Sequence, residues 1–344
     1  MVDITVRGAG IFGLSIAWAC AQRGACVRVV DPYGAGAGSS GGVVGALAPH
    51  VPENWNPKKA FQLDSLLMAH AFWEDVHAAS GVDPGYVRSG RIQPIADAAA
   101  LELARAREKT SQILWGDHAR WDVLRADTDQ SWAPQSPSGW VIHDDLSALL
   151  HPRQAVDALV TALSTKGVSL VANAPDEGRV LWATGIAGLE ALNDGHPRRV
   201  GGGVKGQAAV FDYDARGSEQ LFADGLHIIP HLDGTVAVGS TSERDYATPD
   251  TTDALLDQVI ARARDALPLL RDAKVLNRWA GVRPRARSRA PMLGPWPNRK
   301  GHYIANGGFK IGFGMAPKIA EVMADLLLDD CDTIPAGFEV AASL

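Results

Sequence analysis

A glycine-rich turn between a hydrophobic strand and a helix constrains this chain more than any other stretch. Gly8-Ala9-Gly10-Ile11-Phe12-Gly13 follows Ile4-Thr5-Val6, which reads as a buried strand. Residues 14–23 read as a helix that Gly24 ends, and residues 25–30 as a second strand closed by Asp31. Gly8 permits the tight turn, Gly10 lets main chain approach a pyrophosphate, and Gly13 lets helix and strand pack closely. The N-terminus of that helix, which follows Ile11-Phe12-Gly13, directs N–H groups and a positive dipole at the phosphates. Asp31 stands where an acid accepts hydrogen bonds from a ribose. Strand, turn, helix, strand and acid in this order are the context the motif requires, and they predict a bound dinucleotide. They do not separate FAD from NAD.

The 344 residues suffice for two domains or one large interleaved body. Hydrophobic residues make up 46% and charged ones 21%, a soluble globular balance. A net charge of −6 gives no basic footprint for nucleic acid. Cys20, Cys26 and Cys331 form no CxxC and no even framework, which predicts a reducing, cytoplasmic setting without structural disulfides. The ten histidines show no HExxH or comparable spacing, so no metal is expected. The apolar start lacks the basic leader of a signal peptide, and no apolar stretch is long and clean enough to span a bilayer.

Further along, residues 35–45 (AGAGSSGGVVG) are glycine-dense, which suits backbone lying flat against a ligand. Helices are predicted over 58–79, 98–115, from 152 to near 166, over 253–267 and from about 317 to 328. Strands are predicted over 90–95, 168–171, 179–182, 206–211, 227–230 and 235–239, with Leu232-Asp233-Gly234 turning between the last two. A βαβ start, a β-rich stretch from 201 to 243 and an α/β end suggest two spatial domains threaded by one chain.

Several of these segments, taken in order, resemble the FAD-dependent D-amino-acid oxidase superfamily, in particular its glycine oxidase and sarcosine oxidase-like branch. GAGIFG…VVD is similar to that family's FAD fingerprint, and SSGGVVGALAPH (39–50) to its segment along the flavin ring. VLWATG (180–185) resembles its strand ending in A-T-G, and VKGQ (204–207) its "RGQ" turn. The run from Ile229-Pro230 through Asp233-Gly234 to VGST (238–241) and Glu243 resembles its "IP…DG…VGST.E" hairpin. WAGVRPRARSRAPMLG (279–294) and ANGGFKIGFGMAP (305–317) are similar to its last two motifs. The resemblance implies an α/β fold: a Rossmann-like FAD/NAD(P)-binding domain interleaved with an antiparallel-sheet substrate domain. Residues 1–85, 145–200 and 288–344 are assigned to the first, and 86–144 and 201–287 to the second. It also implies FAD held noncovalently, since no cysteine stands where sarcosine oxidase-like relatives attach the flavin.

That family oxidises a C–N bond beside a carboxylate by hydride transfer to flavin N5, leaving an imine that water hydrolyses; the substrate is a small amine or amino acid. The protein holds the substrate carbon in place and stabilises charge on the reduced ring. By the resemblance, Arg283 stands at the carboxylate-binding arginine, and a guanidinium fork suits that task. Gly312-Phe313-Gly314 precedes the last helix, whose N-terminus would face the flavin pyrimidine end. Ser39, Ser40, Gly42 and His50 fall in the ring-flanking segment, and Val171, Ala183, Thr184, Gly185 and Gly308 in other cofactor-lining segments. His50 reads equally as a ring neighbour or a structural histidine. His227 stands where relatives carry a carboxylate-binding tyrosine, and reads as a substrate contact or as a strand-packing histidine.

Three departures bear on the substrate. Lys310 replaces an arginine and remains a catalytic and cofactor candidate, Gly308 replaces a histidine, and Ser288 replaces an acid. Arg283, Arg285, Arg287 and Arg289 alternate, which puts them on one face if the segment is extended, although Pro284 argues for an irregular strand. They suit an anionic or larger substrate or an acidic partner, or are simply solvated. Oxygen and another electron acceptor both remain open. Two rivals stand beside the FAD-dependent amine or amino-acid oxidoreductase: an NAD-dependent dehydrogenase, and a noncatalytic or electron-transfer flavoprotein subunit.

Overall fold

Near-continuous apolar runs and longer mixed strands go to two different sheets in the computed structural model, which describes residues 1–127 and 131–344. The chain begins β1 (Ile4–Arg7), α1 (Ile11–Gln22), β2 (Val27–Val30), β3 (Ala46–Leu47), α2 (Pro57–Ser80), β4 (Arg91–Pro94) and α3 (Ala98–Leu114). It continues β5 (Trp121–Arg125), β6 (Trp140–Asp144), β7 (Ala148–Leu149), α4 (Pro152–Thr165), β8 (Ser169–Val171), β9 (Arg179–Trp182) and α5 (Gly185–Asp194). It ends β10 (Gly201–Asp212), β11 (Gln220–Ala223), β12 (Leu226–Pro230), β13 (Thr235–Gly239), α6 (Ala254–Ala266), β14 (Val275–Ala286), β15 (Met292–Pro295), β16 (His302–Asn306) and α7 (Gly312–Asp329).

The first sheet runs β15-β16-β9-β1-β2-β8, parallel throughout except for the antiparallel edge pair β15/β16. Such strands read as unbroken apolar runs because helices cover both faces. Leu14, Ile16, Trp18, Met315 and Ile319 are buried in the core that α1 and α7 build with this sheet. The second sheet runs β14-β10-β13-β12-β11-β4-β6-β5 and is antiparallel apart from β11/β4. Leu256, Val259 and Ile260 of α6 pack in the core of that second sheet. The fold is thus mixed α/β, as expected, and no helix among the described residues is long and apolar enough to cross a membrane.

Several elements depart from the sequence reading, β10 for one starting at Gly201 rather than 206. Helix α1 starts at Ile11 rather than 14, since Gly10 is extended and its carbonyl already accepts from the Leu14 N–H at 2.9 Å. Helix α7 starts at Gly312 rather than 317 and carries Pro317 inside it. The next N–H, of Lys318, goes to Ser65 Oγ of α2 at 3.2 Å, so a neighbouring helix serves the turn that proline disturbs. β14 is a twelve-residue strand that runs in unbroken register through Pro284, its one register shift lying at the far end, at Leu276. It lies at the sheet edge, where a missing ladder N–H is tolerated, and the Pro284 carbonyl accepts from the Phe309 N–H at 3.0 Å. The expected four-arginine face stops with this strand. Arg287 instead donates to the Leu344 carbonyl, and Arg289 takes a left-handed φ of 64° in the turn beyond.

Candidate active site

Four parallel strands open their C-terminal ends onto one cavity of about 540 Å³. A crevice outside these strand ends is where open α/β sheets take their ligands. Gly8, Gly10, Ile11 and Phe12 reach it after β1, and Asp31 after β2. Ala183, Thr184 and Gly185 reach it after β9, and Gly308 after β16. Ser39 and Ser40 close one side. Gly8 sits at φ 105° with its Cα so near β9 that an added Cβ would lie 2.4 Å from the Ala183 carbonyl oxygen. Asp31 is anchored by N–H donors from Ala9 (2.8 Å) and Tyr33 (2.9 Å), and its carboxylate retains acceptor capacity toward the cavity.

The residues fit a dinucleotide such as FAD on physical grounds. Helices α1, α5 and α7 all begin at this cavity, none has a side-chain cap from its own N-cap residue, and none has an acid in its first turn. Apart from the Ile11 N–H, which Ser40 Oγ takes, these three helix N-termini present N–H groups and positive potential to phosphates and to an electron-rich ring. At Gly185 an added Cβ would meet nothing within 4 Å, so the main chain there borders open room. Ser40 Oγ takes the Ile11 N–H at 2.9 Å and ties the glycine-dense loop to the turn.

A second cavity of about 320 Å³ adjoins the first, the two sharing Ile11, Ser39, Ser40, Phe309 and Gly312. Its wall carries Arg283, Lys310, His227 and Phe313, with no carboxylate among its lining residues. Arg283 is 7% exposed and donates to Ser240 Oγ (2.6 Å) and the Thr241 carbonyl (3.3 Å). Its guanidinium crosses Gly206 on the neighbouring strand, where a Cβ would fall 1.7 Å from the Arg283 Nη2. Behind it, buried Lys205 pairs with Glu243 and Asp253, and Gln207 donates to both carboxylates. The VKGQ and VGST…E segments are therefore the scaffold of Arg283.

Burial, partly offset by Glu243, lowers the Arg283 pKa to about 10, which leaves it charged at neutral pH. Burial first and then Arg91, Lys310 and Arg283 push His227 down to about 3, so its ring is neutral. The His227 Nδ1 is buried without a hydrogen-bond partner. Lys310 is lowered by burial and then by Arg283.

Four predicted residues line neither cavity. Gly13 packs helix on turn, where a Cβ would fall 1.9 Å from the Gly8 oxygen. Gly42 packs against the Trp279 ring. Val171 presents its carbonyl to the Asp31 N–H at 3.0 Å. His50 directs both its main-chain N–H and its Nδ1 to Gln62 Oε1. Phe309 was not foreseen, although it lines both cavities at a left-handed φ of 46°. The aromatic between Gly308 and Lys310 was its only sequence signal. Nor does spacing reveal His151, His231 and Asp233, whose ligand atoms lie within 4.8 Å of one another. There His151 Nδ1 accepts from the Gln154 N–H at 3.4 Å, which leaves Nε2 as the donor toward Asp233 Oδ2 at 3.7 Å.

A glycine-turn crevice that fits a dinucleotide thus adjoins a cationic cavity walled by the antiparallel sheet, the arrangement of a dinucleotide-dependent enzyme. The family model described as FAD dependent oxidoreductase matches residues 3–326, and the chain belongs to that family. It is 27% identical to the glycine oxidase of Pseudomonas putida over 94% of each chain. It is 24% identical to the glycine oxidase of Bacillus subtilis, covering 95% of this chain and 93% of that one. The crystal structure of glycine oxidase from Geobacillus kaustophilus shares the fold with a TM-score of 0.86 over 98% of both chains, at 19% identity. The protein is an FAD-dependent oxidoreductase, and the NAD-dependent alternative falls with the family match.

Proposed function

We propose that the protein oxidises the C–N bond of an amino acid, or of a secondary amine carrying a carboxylate, in the cavity under Arg283. The observation that carries this reading is Arg283 itself, a buried, charged fork with no ion-pair partner among the described residues, facing a cavity that adjoins the dinucleotide crevice. FAD, when bound, supplies a hydride acceptor. Arg283 holds the substrate carboxylate bidentately and so fixes the carbon beside it. His227, neutral and with Nδ1 buried, presents its other nitrogen as a hydrogen-bond donor to the same group. Two cations nearby disfavour a third, so the substrate amine enters the reaction uncharged, with no general base required. The open N-terminus of α7, at Gly312 and Phe313, favours negative charge where the two cavities meet.

The six-stranded sheet, with residues 1–85, 145–200 and 288–344, serves as the cofactor body. Residues 86–144 and 201–287, with the eight-stranded sheet, serve as the substrate body. The cofactor is held noncovalently: no cysteine lines either cavity, Cys20 being buried in α1 and Cys26 and Cys331 exposed. Those three free thiols also support a cytoplasmic setting. The scaffold built around Arg283 weighs against a lapsed substrate site and thus against a noncatalytic subunit. Product analysis tests the reading. One oxo acid should appear for each amine consumed, with ammonia or the shortened amine in equal amount, and peroxide as well if oxygen is the acceptor. Turnover that needs an added dye identifies a dehydrogenase, and absence of any oxo acid refutes the proposal.

A further inference from the structure

The charge balance of the substrate cavity is incomplete under the reading just given. Arg283 and Lys310 both line it, His227 is neutral, and none of its lining residues is an acid. Among the described residues neither cation forms an ion pair, although Glu243 is near enough to Arg283 to favour its charge, whereas Arg91, Arg107, Lys205 and many other basic residues do. An amino acid that reacts as an uncharged amine brings one negative charge for the buried Arg283 fork, which leaves the exposed Lys310 ammonium at the cavity wall without a counter-ion of its own. A cation at a cavity wall with no acid among its neighbours in the lining raises the local concentration of anionic groups.

A second set of cations lies on the same side. The Arg285 guanidinium sits 5.4 Å from the centre of the Phe309 ring and the Lys310 ammonium 5.8 Å from it, so this ring connects the cavity to the outer arginine. Lys58 is close enough to Arg285 and Arg289 that both lower its pKa, after burial, and among the described residues none of the three has an ion-pair partner. An unpaired basic group leading to a cavity with two further cations focuses field on anions and raises their local concentration.

We propose, on the basis of the C–N oxidation assigned above, that the substrate is a dicarboxylic amine. Arg283 holds the carboxylate beside the reacting carbon, and Lys310 holds a second carboxylate, on either the side chain or the nitrogen substituent. The chemistry is unchanged: the C–H bond next to the first carboxylate breaks with its electron pair going to FAD, the nitrogen lone pair forms C=N, and water then replaces the amine. Lysine suits the second position because it pairs as a compact point charge and demands no planar match.

The test uses the holoenzyme and has two arms. In the kinetic arm, aspartate, glutamate and iminodiacetate are compared with alanine and glycine by kcat/KM. The dicarboxylates should lead, with their advantage falling by about tenfold or more in Lys310→Met and recovering in Lys310→Arg. A lead by aspartate or glutamate places the second carboxylate on the side chain, and a lead by iminodiacetate places it on nitrogen. The binding arm needs no turnover: succinate should perturb the flavin spectrum at far lower concentration than propionate, and Lys310→Met should abolish that difference. Monocarboxylic amino acids reducing the flavin as well as dicarboxylic ones would overturn the inference and leave the C–N oxidation standing. So would a Lys310→Met variant that slows both classes equally and shifts the flavin potential, since Lys310 would then serve the reduced ring. If no amine reduces the flavin, the functional reading falls, while a succinate preference that depends on Lys310 would still uphold a two-carboxylate cavity.

Discussion

Replacing Gly13 with alanine should release the cofactor by separating the first helix from the turn that precedes it. The added Cβ would lie 1.9 Å from the Gly8 carbonyl oxygen and 3.3 Å from a Val6 methyl, where ordinary contact begins near 3.4 Å. The opening required is about 1.5 Å, and α1 buries ten of its twelve residues, so it cannot move as a free body. Overpacking of this kind costs about 1–3 kcal/mol, and alanine's better helix propensity returns at most about 1 kcal/mol. With an unfolding entropy of about 0.7 kcal/mol/K for a 344-residue chain, a net cost of up to about 3 kcal/mol should lower the midpoint of thermal unfolding by up to about 4 °C. The cofactor effect is separate, because the same displacement widens the phosphate cradle. Wild-type protein in FAD at a hundredfold its Kd gains about 2.7 kcal/mol, and the variant should gain much less. The assay is thermal unfolding with and without added FAD, alongside the flavin-to-protein absorbance ratio. Gly195→Ala is the control, since its Cβ would meet only the Ala191 and Leu192 carbonyls, at 3.9 Å. A Gly13→Ala protein with unchanged midpoint and full flavin content would refute the packing argument.

Other consequences are equally direct. Arg283→Lys should retain FAD yet lose about 2–5 kcal/mol of substrate interaction, on the order of 10²–10³-fold in kcat/KM, because the fork is gone. Normal kcat/KM in that variant would remove Arg283 from the substrate. Gly312→Ala should leave apoprotein stability intact, its Cβ meeting only Ile11 at 3.5 Å, while weakening FAD measured by fluorescence titration. Asp31→Ala frees the Ala9 and Tyr33 N–H groups and should lower both the unfolding midpoint and FAD content. Stability should also fall with acid. Burial lowers His227 to about 3 and His231 to about 4 in the folded protein, both below the unfolded value of 6.5. The unfolded chain then binds two extra protons between those limits. Stability is therefore full above pH 6.5 and is lost toward pH 4 at up to about 2.7 kcal/mol per pH unit. Urea midpoints from pH 8 to pH 5 check this, and His227→Phe with His231→Asn should flatten the dependence.

The parallel sheet and its crevice were legible because their signals are local. A turn that needs Gly8 and Gly10, apolar runs buried on both faces, and an acid closing the second strand all lie within the first 31 residues. The cationic cavity was legible only through motif likeness, since Arg283 and His227 come together through the pairing of β10, β12, β13 and β14 and Lys310 joins them from the connection between β16 and α7, which no periodicity encodes. Pro284 misled the reading of its strand because a sequence does not say which strand will lie at an edge. Pro317 misled the start of α7 because the compensating group, Ser65, is 252 residues upstream of proline. The dense arginines looked like one face, yet the strand ends at Ala286 and the last of them turn to other tasks. Gly206 shows the converse: a glycine inside a strand pattern marked the place where another side chain had to lie.

The visible spectrum of the purified protein during anaerobic addition of amino acids tests the central claim most directly. The account predicts a bound, noncovalent flavin whose absorbance bleaches with one carboxylate-bearing class of amine and does not bleach with the same amine lacking its carboxylate. A flavin that remains oxidised with every amine, or one reduced equally well without the carboxylate, would contradict it.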